Sequence, residues 1–197
     1  MSLPSQVDVV IVGGGVMGTS AAFHLAEAGV SVLLCEKNEL ASGSTSKAAG
    51  GVRANFSDEF NVALGARSLE LFANFNTRPG YEIDLHRTGY LFALTKQSDV
   101  DLFEKSTKIH KQFNVESKML TPSEAFKISP LLNTSDVLAA SFTPHDGHCT
   151  PEAVVLGYAG GAKKLGATVI TNVEATGINL NAGEITSVTT SAGVVNT

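Results

Sequence analysis

Three glycines near the start of the chain, Gly13, Gly15 and Gly18, have the spacing GxGxxG between an apolar β-branched run and a helix-like pattern. Gly13 permits a sharp turn off a strand, Gly15 lets the backbone approach a diphosphate, and Gly18 lets the helix pack closely on the sheet. The first N–H groups of such a helix, here those of Val16 and Met17, face the anion. The motif predicts a dinucleotide site at this turn.

An acidic residue, Glu36, ends the second apolar run. Its carboxylate is placed to accept hydrogen bonds from ribose hydroxyls, and its charge would repel the additional phosphate of an NADP-type ribose. A strand, a glycine loop, a helix and a terminal acid therefore occur together. This combination favours dinucleotide binding over a glycine-rich turn in an ordinary α/β domain.

The segment 41–51 bears on which dinucleotide is bound. Its residues are mostly small, several carry hydroxyl groups, and it has no helical pattern. Such a segment can lie along an extended ligand, although a solvated flexible loop is the alternative. The side chains able to donate to phosphate are Ser44, Thr45 and Ser46. The small residues able to pass close under a planar ring are Ala49, Gly50 and Gly51.

The run from residue 7 to residue 56, including Glu36-Lys37 and the segments 42–46 and 48–56, resembles the FAD-binding N-terminus of the D-amino acid oxidase superfamily. The similarity is greatest to glycine oxidase, the sarcosine oxidase β subunit and dimethylglycine dehydrogenase. It implies FAD as cofactor, with Lys37 beside Glu36 among the cofactor-binding residues and Val173 as a backbone contact to the adenine. The chain is similar to the N-terminal half of such enzymes.

The resemblance also implies an activity, the oxidation of a small amine or amino acid by hydride transfer to flavin N5. Three alternatives remain: a flavoenzyme acting on glycerol phosphate, a cofactor-binding module or subunit without turnover, and an NAD-dependent dehydrogenase. The electron acceptor is not indicated, and an oligomer or a partner subunit is compatible with the sequence. We expect residues 1–197 alone not to turn over substrate.

Arg53 is the only cation between Lys47 and Arg67, and it follows the segment expected beneath the flavin ring. A guanidinium there can hold a substrate carboxylate with two parallel hydrogen bonds. The matching arginine of sarcosine-oxidising relatives is implied to serve as such an anchor. The alternative is a surface arginine paired with Asp58 or Glu59.

Composition excludes several other classes. With 43% hydrophobic and 17% charged residues the chain is typical of a soluble globular protein, and a net charge of −5 without a basic stripe argues against nucleic acid. No membrane span or positively charged signal segment is evident, so we expect a cytoplasmic protein, or a matrix protein in a eukaryote. Cys35 and Cys149 indicate neither a disulfide nor a zinc site, and Cys35 is expected in the core. No metal site is expected at 145–148, which is interpreted as a structural corner.

The elements predict an α/β fold: a Rossmann-like FAD-binding domain with a parallel sheet, and the start of an inserted α+β substrate domain. The FAD-binding domain is assigned to 5–80 and 147–197, and the substrate-side domain to 81–146. Helices are expected at 16–28, 58–74, 97–113, from 121, and at 152–165. Strands are expected at 137–143 and 167–171, with hairpins joining 81–85 to 90–94 and 178–180 to 185–190.

Overall fold

The computed structural model describes residues 3–197, which form two compact units. The first unit contains residues 3–49, 75–84 and 150–197, and the second contains 50–74 and 85–149. Residues 50–74 were expected in the FAD-binding domain and lie in the second unit. The division into functional domains stays a prediction.

The helices, in chain order, are α1 (Val16–Glu27), α2 (Glu59–Ala73), α3 (Gln97–Gln112), α4 (Pro122–Ile128) and α5 (Pro151–Lys164). The strands are β1 (Val9–Val12), β2 (Val32–Cys35), β3 (Gly51–Val52), β4 (Tyr90–Leu94), β5 (Lys118–Leu120), β6 (Ala139–Thr143), β7 (Gly147–His148), β8 (Thr168–Ile170), β9 (Ala175–Asn181), β10 (Glu184–Thr190) and β11 (Gly193–Asn196). Among residues 3–197, no helix is long and apolar enough to cross a bilayer.

The first unit contains a parallel sheet with strand order β1-β2-β8, which confirms the predicted α/β class and Rossmann-like core. All four residues of β2 are buried, as their continuous apolar run requires for a strand covered on both faces. Helices α1 and α5 pack against each other. Between them, the ring of Tyr158 lies 4.8 Å from that of Phe75 and 5.6 Å from that of Phe23.

An antiparallel meander, β9-β10-β11, completes the first unit. The hairpin predicted around 181–184 is confirmed, whereas β11 was not predicted. Val195 of β11 is fully buried in one cluster with Val7, Leu33 and Cys35. Cys35 is therefore a core residue, as expected, and its burial raises the pKa of its thiol.

The second unit contains the antiparallel sheet β4-β6-β5 and helices α2, α3 and α4. The predicted hairpin between 81–85 and 90–94 is wrong, because β4 pairs instead with β6, Tyr90 lying opposite Thr143. Residues 81–85 do not form a strand. Asp84 has a left-handed φ of 54°, and the carbonyl of Ile83 accepts from the Thr150 amide. The alternation of polar and apolar residues at 81–85 therefore does not determine the conformation of this segment, which makes contacts distant in sequence.

Candidate functional site

The glycine loop joins β1 to α1. Gly13 has a φ of 110°, which favours glycine, and its N–H donates to the Cys35 carbonyl at 2.8 Å. Gly15 is the N-cap residue of α1 and has no side chain of its own to cap the helix, and no acidic residue lies in the first turn. The amides of the first turn and the positive end of the helix dipole make this terminus suited to an anion such as a diphosphate.

Two further glycines of the loop differ in how closely their surroundings pack. A Cβ on Gly18 would overlap the carbonyl oxygen of Gly13 and would lie 3.3 Å from Cγ2 of Ile11 in β1. A Cβ on Gly15 would meet only the Thr45 hydroxyl, at 3.4 Å. Gly18 is therefore required by the fold itself, whereas Gly15 leaves space that a ligand can use.

Glu36 is tied directly to the glycine loop. Its Oε2 accepts from the Gly14 amide at 2.7 Å, and its Oε1 accepts from the Asn38 amide at 2.8 Å. A carboxylate has about four lone-pair directions, so both oxygens keep the capacity to accept from ribose hydroxyls. Lys37, beside it, is exposed.

The hydroxyl-rich segment forms a 3₁₀ turn at Thr45–Lys47. The Thr45 hydroxyl accepts from the Val16 amide at 3.3 Å, which brings it to the N-terminus of α1 with its own proton free to donate. The Ser46 hydroxyl donates to the Gly43 carbonyl, so a phosphate contact from it would have to replace this bond. Ser44 is exposed. Thr45 is thus the best placed of the three.

The residue expected near the adenine, Val173, is buried, and its amide donates to the Glu36 carbonyl at 2.9 Å. Hydrogen bonds therefore link Thr45 to Val16 and Val173 to Glu36. The predicted cofactor residues that belong to the first unit include Gly13, Gly15, Val16, Gly18, Glu36, Thr45 and Val173. Met17 is 81% exposed on the first turn of α1, and Ala49 is exposed. Their contacts to a cofactor stay predictions.

The remaining predicted residues, Gly50, Gly51 and Arg53, belong to the second unit. Gly50 has a φ of 76°, and Gly51 pairs with His148 in the short β3-β7 sheet. The Arg53 guanidinium lies among three aromatic rings, and no hydrogen bond or ion pair joins it to any other residue of 3–197. The proposed pairing with Asp58 or Glu59 is absent from this part of the chain, and Asp58 instead caps α2.

A buried carboxylate supports the backbone that follows Arg53. Asp146 is 1% exposed, and its Oδ1 accepts from the Ala54 amide at 3.0 Å. Burial raises the pKa of this carboxyl group, although the Ala54 bond opposes the shift. Sequence reasoning placed residues 145–148 in a structural corner but did not predict this bond. Within residues 3–197, no three His, Cys, Asp or Glu side chains form a metal-binding group.

Comparison with known proteins identifies the family. Residues 8–197 match the family described as FAD dependent oxidoreductase, DAO. The chain belongs to this family. Its cofactor is accordingly FAD, as predicted, and the nicotinamide-dependent alternative is not retained.

Individual relatives agree with this assignment. The chain is 34% identical over 164 residues to the mitochondrial dimethylglycine dehydrogenase of Mus musculus, covering 82% of this chain and 19% of that protein. It is similar to the crystal structure of L-proline dehydrogenase from P. horikoshii, with a TM-score of 0.93, 36% identity, and coverage of 98% of this chain and 51% of that one. The mitochondrial pyruvate dehydrogenase phosphatase regulatory subunit of Mus musculus is 27% identical over 99% of this chain and 22% of that protein. This chain therefore spans about a fifth to a half of the length of these relatives.

Proposed function

We propose that this chain supplies the dinucleotide site and a substrate-carboxylate anchor of an enzyme that oxidises a small amine or amino acid at the carbon next to nitrogen. The observation that carries the proposal is the Arg53 guanidinium, which has no acidic partner among residues 3–197. Its five N–H donors remain available, and a carboxylate matches their fork geometry.

The chain's own residues would hold the cofactor and orient the substrate. The amides at the start of α1 and the Thr45 hydroxyl would bind the diphosphate, and Glu36 would accept from the adenosine ribose. When bound, FAD would supply the hydride acceptor, N5 of its ring system. Arg53 would hold the substrate carboxylate so that the adjacent C–H bond is oriented for transfer, which is an entropic contribution to the rate.

The named relatives support this substrate class. Dimethylglycine and proline, named for two of them, are both amino acids with a carboxylate and a substituted nitrogen. Glycerol phosphate, the non-amine alternative, carries a phosphate that an arginine can also bind. The substrate is therefore tested by comparing amines with and without a carboxylate, alongside glycerol phosphate.

The decisive experiment replaces Arg53 with lysine and with methionine in the naturally expressed polypeptide. Lysine keeps the charge but loses the two-pronged geometry, so we expect a raised KM for sarcosine, dimethylglycine or proline, with the flavin spectrum unchanged. Methionine should have a larger effect. Unchanged kinetics with every carboxylate-bearing amine would show that Arg53 is not an anchor and would favour a substrate without a carboxylate.

A second candidate is a cofactor-binding module without turnover of its own. It is favoured by the match to a protein named as a regulatory subunit, which extends over 99% of this chain. Amine-dependent dye reduction by the naturally expressed polypeptide would exclude it. For residues 1–197 alone we propose no turnover, because a flavin requires walls that exclude water on both sides. The cytoplasmic or matrix location and a partner subunit also stay predictions.

A further inference from the structure

Three aromatic side chains surround the Arg53 guanidinium. The carbon Cζ of Arg53 lies 4.9 Å from the ring centroid of Phe56, 5.6 Å from that of Tyr90 and 5.4 Å from that of Phe92. Each distance is within the range of a cation–π interaction. Ring faces stabilise the positive charge without acting as strong hydrogen-bond acceptors, so the N–H donors stay available.

The rings are held by rigid elements. Tyr90 and Phe92 are two residues apart on β4 and therefore point to the same face of the sheet, where β6 fixes their register. The Phe92 ring also lies 5.3 Å from that of Phe103 on α3. The Phe56 carbonyl lies 2.8 Å from Nε2 of the fully buried His110.

The backbone of the arginine segment is fixed to the same sheet. Asn55 is buried, and its Nδ2 donates to the hydroxyls of Ser141 and Thr143 on β6, both at 3.2 Å. Asp146 accepts a hydrogen bond from the amide of Ala54, the residue between Arg53 and Asn55. Buried polar groups therefore position the main chain around Arg53, and the aromatic rings independently position its side chain. Such support is what a binding group needs to keep one geometry.

The space beside Arg53 is open to a ligand. Two cavities, of about 300 Å³ and about 180 Å³, include Arg53 in their walls. Within the described chain, Arg53 is the only charged residue lining either one, and the other lining side chains are apolar or neutral. A positive charge without a counter-charge, beside mostly apolar walls, favours a small anionic ligand with an apolar body.

We propose that Phe56, Tyr90 and Phe92 are positioning residues that hold Arg53 ready for the substrate carboxylate, and that they thereby set the preference for carboxylate-bearing amines. This inference rests on the proposed function. Without the rings the long arginine side chain samples many rotamers, and binding a carboxylate then requires ordering it. With the rings in place, that ordering precedes substrate binding.

The test compares leucine and aromatic replacements in the naturally expressed polypeptide. Phe92→Leu and Tyr90→Leu remove a ring face, whereas Phe92→Tyr and Tyr90→Phe keep it. We expect each leucine variant to raise the KM for sarcosine about tenfold, within the range expected for one cation–π contact, while the aromatic variants stay close to wild type. The KM for dimethylamine, which has no carboxylate, should not change in any of them.

A matched control lies on the same sheet. Phe142 of β6 pairs with Leu91, on the face opposite Tyr90 and Phe92, and is half-buried as they are. Phe142→Leu should therefore reduce packing without changing the ratio of the two KM values. A readout independent of turnover is the change in the flavin spectrum on titration with acetate, whose Kd should rise in the leucine variants and not in Phe142→Leu. Far-UV circular dichroism and flavin content show which variants fold.

The outcomes separate this inference from the proposed function. If Arg53→Lys raises the KM for sarcosine but the leucine variants do not, or if Phe142→Leu has the same effect as they do, the positioning role is overturned and the anchor stands. If the aromatic variants raise the KM for sarcosine as much as the leucine variants do, a ring face is not what positions Arg53, and the inference is overturned. If Arg53→Lys has no effect, the proposed function itself fails.

Discussion

The amide of Gly14 donates to Oε2 of Glu36 across 2.7 Å, so the acid expected to bind the ribose also fixes the loop expected to bind the diphosphate. Its other oxygen accepts from the Asn38 amide. Because both oxygens face N–H donors, a glutamine at this position must turn its NH₂ group against one of them. Glu36 therefore has a structural role that its position in the sequence motif alone does not indicate.

We expect Glu36→Gln to weaken FAD binding by more than the ribose contact alone. A hydrogen bond to a charged group contributes about 1.5–3 kcal/mol, which corresponds to about 10- to 150-fold in Kd. The apoprotein should also lose stability, because the Gly14 bond is damaged. FAD titration and thermal unfolding measure the two effects. Glu184→Gln, at the exposed start of β10, is the control, and an equal effect from it would contradict this account.

Gly15 and Gly18 should separate binding from folding. Gly15→Ala places a methyl group in van der Waals contact with the Thr45 hydroxyl alone, at 3.4 Å and at an ordinary φ of −82°, so the apoprotein should keep its Tm while FAD affinity falls. Gly18→Ala forces its methyl group against the Gly13 carbonyl, so both stability and affinity should fall, the former by about 1–3 kcal/mol. Unfolding of the apoprotein and FAD titration of both variants check this. If Gly15→Ala destabilises the apoprotein as much as Gly18→Ala does, the proposed diphosphate path is wrong.

Asp146→Asn should change how stability depends on pH. Burial raises the pKa of this carboxyl group above its usual value of 3.8, so its contribution to stability is fully present below that value and is lost as the pH rises through the folded-state pKa. Asparagine keeps an oxygen for the Ala54 amide but carries no charge to desolvate. The free energy of unfolding of the variant, relative to wild type, should therefore increase as the pH rises above the usual carboxyl value of 3.8.

Urea unfolding at several pH values measures this difference, with Asp136→Asn, an exposed acid of the same unit, as control. A difference that is flat across the range, or that turns against the asparagine variant as the pH rises, would show that the charged form of Asp146 is not penalised by burial.

The nucleotide part of the fold could be predicted because its signals are local. Strand, glycine loop, helix and acid follow one another within the first 36 residues, and each requires only its sequence neighbours. The pairing partner of β4 could not be predicted. Its true partner, β6, lies far along the chain, and residues 81–85 have the same alternation of polar and apolar side chains as a strand.

The surroundings of Arg53 also depend on contacts distant in sequence and could not be predicted. Arg53 was singled out from its position, but its rings come from β4 and from Phe56, and nothing in the sequence fixes which face of β4 turns toward it. The period-two spacing of Tyr90 and Phe92 indicates only that they share a face. Asp146 was placed in a turn from its neighbours, whereas its role depends on Ala54, which is distant in sequence.

The most direct test of the central claim is the visible spectrum of the naturally expressed polypeptide, recorded without oxygen before and after addition of a carboxylate-bearing amine. Bound flavin absorbs at roughly 450 nm, an absorbance that is lost on reduction. The account predicts a yellow protein that sarcosine, dimethylglycine or proline bleaches. A colourless protein that cannot be reconstituted with FAD would contradict it.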